Sequence, residues 1–385
     1  MKRIIYRTVT SLTLIIVIIF MTGVSRMYAE MSLSTGLRYD WFQDDGSPKT
    51  TGREMTIPLG FAWNESRWLF SVQTACSSAR VEDGEATAGY ISSCTDTLIS
   101  TSFLVRNEPV GMMIGVDVNL PTGKEQLSAT EEYAEAGRKN DLFEVDNFGD
   151  GLNIGLNLGL VKEVAGVSLS VNGAYLVKGG FDPTRDFADD DLEPGEQTLV
   201  VALLKWRLQP WLTLDASVAH SWFTPDTRNG IDVFQEGNTL VSGGSLRIRR
   251  KALDVAAGLQ YTLQDNNKRR AVEDLERETE NSNGDEFFGK LDITYTLSPR
   301  LMLRVLGNAK FYGESKRRDA LKDLPYAAKR VRYAAGPGVV WSVNNRVTVD
   351  FLAKYFTMTQ EKQIDPEHDI SYHGLNLALG LTYIL

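Results

Sequence analysis

The chain has 385 residues, 43% hydrophobic and 24% charged, with a formal net charge of -9 and a mean hydropathy of -0.20. The acidic balance excludes nucleic acid as a partner, because that needs a basic footprint. Past the N-terminus no stretch approaches the ~18 to 20 consecutive apolar residues of a membrane helix, so any crossing of a bilayer falls to strands.

At the N-terminus Lys2, Arg3 and Arg7 precede the apolar run from Leu12 to Met21, and a more polar segment follows to Ala29. That order is the one found in a secretory signal peptide, so 1–29 is expected to be removed and 30–385 to form the mature domain. Met27 is larger than the small residue usual three places before such a cut, and a retained N-terminal anchor stays open as the alternative.

From there on apolar and polar residues alternate in runs broken by turn residues, the signature of strands. The runs fall at 32–42, 53–64, 67–80, 96–106, 110–120, 152–163, 166–178, 197–208, 211–224, 239–249, 252–264, 286–297, 300–312, 331–343, 346–358 and 373–385. Their connections alternate between tight turns, such as Glu65 to Ser66 or Asn344 to Asn345, and long polar segments at 43–52, 81–95, 121–151, 179–196, 225–238, 265–285, 313–330 and 359–372. The expected fold is therefore all-β, a transmembrane antiparallel up-and-down β-barrel of about 16 strands with short periplasmic turns and long extracellular loops. Outer-membrane lipid is the partner of its outer face.

Cys76 and Cys94 flank the polar segment RVEDGEATAGYIS between two strands. In an exported chain an even pair so placed is expected to form a disulfide closing a hairpin loop, with two unpaired thiols as the alternative.

The strand faces separate by chemistry. In 300–312, Leu301, Leu303, Val305, Gly307 and Ala309 oppose Arg304, Asn308 and Lys310. With the apolar face outward, Arg247, Arg249, Lys290, Arg304, Lys310, Arg332 and Lys354 line the inside from the later strands, and Asp40, Asp117, Asp215 and Asp254 line it from the first, fifth, ninth and eleventh; Asp292 and Asp350 are interleaved among the bases. Charges in a dry interior are costly, so the set implies water inside, and separated signs give a transverse field that orients polar solutes. The bland alternative is that these groups pair across neighbouring strands and fill the interior. Sixteen strands enclose room for an aqueous channel.

The longest loop, Pro121 to Gly151, is acidic, and SATEEYAEAGRK within it fits a short helix capped by Ser128 or Thr130. A loop of this length is usually functional. Glu131, Glu132, Glu135, Arg138 and Asp141 are its candidate constriction residues, against the alternative of a solvated lid.

Catalytic readings are poor. The histidines are His220, His368 and His373, and none stands in a nucleophile-base pattern. FADDDLEPGE, with Asp189 to Glu196, is dense in oxygen ligands but lacks regular calcium-loop spacing. No metal, cofactor or catalytic residue is expected.

The chain ends HGLNLALGLTYIL, with Leu375 to Leu385 alternating to the last residue. Such a strand needs a partner, and the first strand, 32–42, is the one barrel closure supplies. Gly380, Tyr383 and the apolar Leu385 resemble the C-terminal signal read by the barrel assembly machinery, although such signals usually end in Phe.

GMMIGVDVNLPTGKE from Gly111 to Glu125, the following FGDGLNIGLNLGLVKEVAGVSLSVNGAYLVKG and the earlier REMTIPLGFAWNESRWLFSVQTA resemble the outer-membrane transporters grouped as the MetA-pathway of phenol degradation family, in which a strand ends in LPTG before a long loop. The topology is also similar to that of sixteen-stranded porins, whose loop after the fifth strand folds inward. The resemblance implies transport of small, including aromatic, compounds, and the reading that results is a monomeric or homotrimeric channel in the outer membrane of a Gram-negative bacterium. Two other readings remain: uptake of hydrophobic molecules, as in the long-chain fatty-acid transporters, and a structural or adhesive barrel. Only Glu30 and Met31 precede the first strand, too little for an N-terminal hatch of the fatty-acid type.

Overall fold

The computed structural model describes residues 30–385 except 47, 85, 140–141, 144–147, 183–190, 272–273, 315–328 and 362–368, and of 86–88 and 135–139 it describes the backbone alone. The expected signal segment 1–29, Asp141, His368 and part of FADDDLEPGE lie outside the described residues.

Along the chain run β1 (Glu30–Asp44), β2 (Thr50–Glu65), β3 (Trp68–Asp83), β4 (Ala86–Cys94), β5 (Thr97–Arg106) and β6 (Gly111–Leu120), then helix α1 (Ala129–Lys139). Next come β7 (Asn153–Val164), β8 (Val167–Lys178), β9 (Leu192–Glu193), β10 (Gln197–Gln209), β11 (Leu212–Phe223), β12 (Asp226–Arg228), β13 (Ile231–Gln235) and β14 (Thr239–Arg250). The last are β15 (Leu253–Gln264), β16 (Lys268–Arg270), β17 (Leu275–Arg277), β18 (Glu286–Ser298), β19 (Leu301–Tyr312), β20 (Arg330–Ser342), β21 (Val347–Gln360) and β22 (Ile370–Ile384).

Sixteen of these, all but β4, β9, β12, β13, β16 and β17, are antiparallel staves of one closed barrel. They coincide with the sixteen alternating runs of the sequence. Closure comes from β22 on β1, in register from Ser32↔Ile384 to Asp44↔Tyr372, and the Leu385 amide donates to the Met31 carbonyl at 2.9 Å. The terminal alternation thus has its partner, and no edge is left on either strand.

Alternation decides which face meets what. In β7, Ile154, Leu156, Leu158 and Leu160 point outward and are exposed, while Asn153, Gly155, Asn157 and Gly159 point inward. The same holds for Met55, Ile57 and Leu59 of β2 and for Leu379 and Leu381 of β22. So continuous an apolar belt has hydrocarbon as its natural solvent. The tight turns are equally local: Ala165 and Gly166 both have positive φ, 50 and 81, the two-residue geometry whose twist matches a hairpin.

Four of the expected long loops carry strand. Segment 81–95 continues β3 to Asp83 and returns as β4, with Cys76 opposite Cys94 and joined to it by a disulfide. Polar residues obscured this hairpin because it stands beyond the apolar belt, where neither face needs to be apolar. Segments 179–196, 225–238 and 265–285 contribute β9, β12, β13, β16 and β17 to a separate five-stranded sheet at the long-loop rim. These strands have two to five residues each, too short for a period to register.

Candidate functional site

Arg247, Arg249, Lys290, Arg304, Lys310, Arg332, Lys354, Asp40, Asp117, Asp215 and Asp254 each lie on the strand face opposite the exposed apolar belt. The structure gathers most of the bases into one sector. Arg247 holds Asp254 through two bonds, Nε to Oδ1 at 2.8 Å and Nη2 to Oδ2 at 2.6 Å, and Arg249 Nε adds a third at 3.0 Å. Arg304 Nη2 donates to Asp292 at 2.8 Å, and its Nη1 reaches Asp350 at 3.4 Å. Asp254 therefore belongs to the basic sector, and separation of sign is weaker there than the chain order implied. Pairing with adjacent or next-but-one staves accounts for these residues, yet several side chains stay substantially exposed: Arg249 is 63% exposed, Arg247 49% and Asp350 46%.

Higher in the barrel a polar row crosses four staves in register, Lys354, Asn376, Asp40 and Glu54. Asn376 Nδ2 donates to Asp40 Oδ1 at 2.6 Å, and Arg332 Nη2 reaches Asn376 Oδ1 at 3.3 Å with its guanidinium 4.5 Å from the Phe356 ring centre. Glu54, which the sequence reading passed over, accepts from Ser77 Oγ at 2.8 Å and is as buried as Asp40. Its place on the same period-two face as Thr56 was the available signal. Lys310 and Arg330 both stack on Tyr312, at 4.5 and 4.4 Å. Asp215 accepts from Ser245 at 3.0 Å, Asp117 accepts from Asn157, and Lys290 lies opposite Gly258.

The next inward row toward the long-loop rim alternates large and absent side chains: Phe356, Gly374, Phe42, Gly52, Val81 and Gly89 are register partners in turn across β21, β22, β1, β2, β3 and β4. A Cβ on Gly52 would lie 2.0 Å from the Phe42 ring, and one on Gly374 would lie 2.4 Å from that of Phe356, so the glycines let both rings lie flat on the wall. Onto this floor fold Leu127, Ala134, Leu142, Phe143 and Phe148 from the 121–151 loop, all buried, with Phe143 5.2 Å from Phe42 between ring centres. Gly89 receives α1 itself: a Cβ there would sit 2.5 Å from the Ala134 nitrogen. The loop after the fifth stave thus packs back against β4 and the inner wall of β1, β3, β21 and β22.

Asp96 pins both ends of that loop. Its Oδ1 accepts from the Gly123 amide at 2.9 Å, its Oδ2 accepts from Asn119 and the Asp150 amide, each at 2.7 Å, and its own amide donates to the Phe148 carbonyl. This gives Leu120 to Gly123 a physical reason. A Cβ on Gly123 would fall 1.7 Å from the Phe148 oxygen, and Thr122 Oγ1 lies 2.8 Å from Thr97 Oγ1.

Ser128 caps α1: the Glu131 and Glu132 amides donate to its carbonyl, and the Glu131 carboxylate accepts from the Ser128 amide and hydroxyl, the glutamate half of a capping box. Burial opposes the Glu131 charge, but Lys124 and Ser128 outweigh it and hold the carboxyl below its ordinary range. Burial, then Asp96, pushes Glu125 up, and Tyr133 is raised by burial with Asp83 and Asp44 near. Of the candidate constriction residues, Glu131 and Glu132 are thereby placed, while the side chains of Glu135, Arg138 and Asp141 lie outside the described residues. His220 stacks on Trp222 and His373 on Trp41.

No family model matches the chain, and no curated protein matches it. The resemblance through Leu120 to Gly123 rests on those residues alone. Among solved structures the chain is similar to the TodX deltaS2S3 mutant monoaromatic hydrocarbon channel, at 11% identity over 93% of this chain and 91% of that one with a TM-score of 0.46. It is similar to the CymD monoaromatic hydrocarbon channel at 13% identity over 93% and 89%, TM-score 0.42, and to Pseudomonas aeruginosa OprD at 9% over 93% and 95%, TM-score 0.43. The barrel assignment stands on the strand register itself.

Proposed function

We propose that the protein is an outer-membrane channel of a Gram-negative envelope, passing small polar or amphipathic solutes by passive or facilitated diffusion. One observation carries this reading: inward arginines and aspartates of a closed sixteen-stave barrel remain substantially exposed, so the lumen beside them holds water. Arg247, Arg249 and Arg304 with their carboxylates supply a local field that biases permeant charge. The 121–151 loop narrows the path at the long-loop rim, and its apolar contact with Phe42 and Phe356 suits amphipathic, including aromatic, solutes, as the family resemblance implies. No catalytic role is proposed.

The test is single-channel conductance of the purified chain in a planar bilayer. Stable ohmic steps are expected, with Arg304→Ala shifting ion selectivity and deletion of 128–140 raising conductance. Silence in every variant would defeat the channel reading. A second reading, uptake of hydrophobic molecules, draws on the buried Phe42, Phe143, Phe356 and Tyr372 cluster. It requires silence in the bilayer together with saturable uptake of an apolar solute that Phe42→Ala impairs.

A further inference from the structure

The short-turn rim carries a charge pattern that conduction does not use. Its first three turns each set a base beside an acid: Arg67 with Glu65 between β2 and β3, Arg106 with Glu108 between β5 and β6, and Lys162 with Glu163 between β7 and β8. The turns that follow around the barrel drop the acid. Between β10 and β11, β14 and β15, and β18 and β19 stand Arg207, Arg250, Lys251 and Arg300, and segments 206–213, 248–253 and 295–302 contain no aspartate or glutamate. Arg346, between β20 and β21, extends the same arc. Every residue of these turns is among the described ones, so the excess of positive charge belongs to this part of the rim.

Hydrogen bonds hold the turns of the arc side by side. The Arg249 amide donates to the Trp211 carbonyl, the Thr296 amide to the Ala252 carbonyl and the Ser342 amide to the Arg300 carbonyl, each at 2.8 Å. Arg250 lies on the outward face opposite Leu253, and its guanidinium is 4.3 Å from the Trp211 ring centre. Stacking covers a face of the guanidinium and leaves its N–H donors at the edge, in the fork that matches phosphate oxygens. Lys251 holds the turn at φ 49, and Arg250, Lys251 and Arg300 are all exposed.

Height on the wall identifies the partner. The outward row of β15 runs Leu263, Tyr261, Leu259, Ala257, Val255 and Leu253. Those ten residues span ~33 Å along the strand and ~25 Å along the membrane normal at the usual tilt, the height of a barrel's apolar band. Arg250 and Lys251 come directly after that band, where hydrocarbon gives way to headgroups. Tyr295, opposite Leu253, and Trp206, opposite Leu214, are 48% and 43% exposed on the same outward face, and both residue types favour that level. Bases this close to the belt meet the bilayer surface first, and the anion found there on the side of the short turns is the phosphodiester of a phospholipid.

We propose that Arg250, Lys251 and Arg300 form a binding site for the headgroup of an anionic phospholipid in the periplasmic leaflet, with Trp211 and Tyr295 beside its glycerol backbone. The proposal rests on the outer-membrane reading and is independent of transport.

The experiment compares binding of phosphatidylglycerol and of phosphatidylcholine with the same acyl chains to the purified full-length barrel in detergent, by native mass spectrometry. Wild type is expected to prefer phosphatidylglycerol, and Arg250→Gln with Lys251→Gln and Arg300→Gln to lower that preference by about tenfold. Arg67→Gln with Arg106→Gln and Lys162→Gln, on the acid-balanced arc, should leave it intact, as should Arg53→Gln, which stands opposite Arg80 at the long-loop rim. Equal binding of the two lipids by wild type would overturn the site, and so would a preference that survives the triple substitution on the arc. Displacement of the lipid by equimolar glycerol 3-phosphate would overturn it in favour of a soluble anion. Retention of peptidoglycan fragments in place of phosphatidylglycerol, lost in the same variant, would overturn it in favour of the cell-wall polymer. Conductance steps of the triple variant at 1 M salt, where rim charges are screened, should equal those of wild type. A silent bilayer with the lipid preference intact would remove the channel reading alone, and conducting protein without the preference would remove this site alone.

Discussion

Two halves of the barrel obey one rule on the outside and different rules on the inside. Around β21, β22, β1, β2 and β3 the staves have 14 to 16 residues, whereas β7, β8, β11, β14 and β15 have 12. The taller staves rise ~7 to 13 Å farther, at about 3.3 Å per residue. Their added inner surface is the row of phenylalanines and glycines on which the 121–151 loop folds. The lower half offers no such floor, and its connections pair with one another in a separate sheet. Whether a long loop enters a barrel is thus decided by the wall it would meet as much as by its own sequence.

The comparison is broken most severely by undoing closure, since the tall half contains the seam. Removing Tyr383 to Leu385 deletes the last β22 pairs with β1 and the proposed assembly signal together. Loss of the heat-resistant folded band and of outer-membrane insertion is expected, and normal assembly would count against closure as the source of the terminal alternation. Next in size is Phe42→Ala, which opens a cavity under Phe143 and Tyr372. It should cost ~3 to 5 kcal/mol of local stability. The protease sensitivity of the 121–151 loop should rise steeply, while Val201→Ala in the low half should leave that loop protected.

Gly123→Ala sharpens the same contrast at smaller scale. Its Cβ meets the Phe148 carbonyl, an atom held by the Asp96 amide, so the loop base must shift at ~1 to 3 kcal/mol. Noisier and larger conductance steps are expected, with the barrel still assembled. Arg304→Ala, which leaves the loop in place, should alter cation-to-anion selectivity by about twofold without changing the noise, as expected for one partly exposed charge already held by Asp292 and Asp350.

These variants also mark how far the sequence could be read. The sixteen staves and the inward direction of Arg247, Arg304 and Asp40 were legible, because a period of two is local and each strand reports its own faces. The pairing of Arg304 with Asp292 on the neighbouring stave and with Asp350 across β20 depends on strand order, which the up-and-down topology supplies in principle. Register is harder. Phe42 opposite Gly52 and Gly374, or Arg53 opposite Arg80, follows from a stagger that no single strand records. Asp96 was read as the first residue of a strand, whereas it occupies the break between β4 and β5, where its side chain is released to hold the loop.

The smallest effect concerns the acidity of the loop, where two carboxyls pull in opposite directions. Glu131 is held below its ordinary range when α1 is capped and Lys124 is near, so its contribution to docking is complete above the ordinary glutamate value and is lost as pH falls through the depressed one. Glu125 is raised by burial and by Asp96, so the docked loop favours its protonated form, and docking weakens as pH climbs through the raised value. Docking should therefore be tightest in the mildly acidic interval between the two and fall off on either side. Glu125→Gln should remove the loss on the alkaline side, and Glu131→Gln should remove the loss on the acid side while lowering docking at neutral pH by ~0.5 kcal/mol. Proteolysis of the 121–151 loop followed across pH reads both limbs. A profile unchanged by either substitution would show that the apolar floor alone holds the loop, which would make the difference between the two halves a matter of packing with no part played by charge.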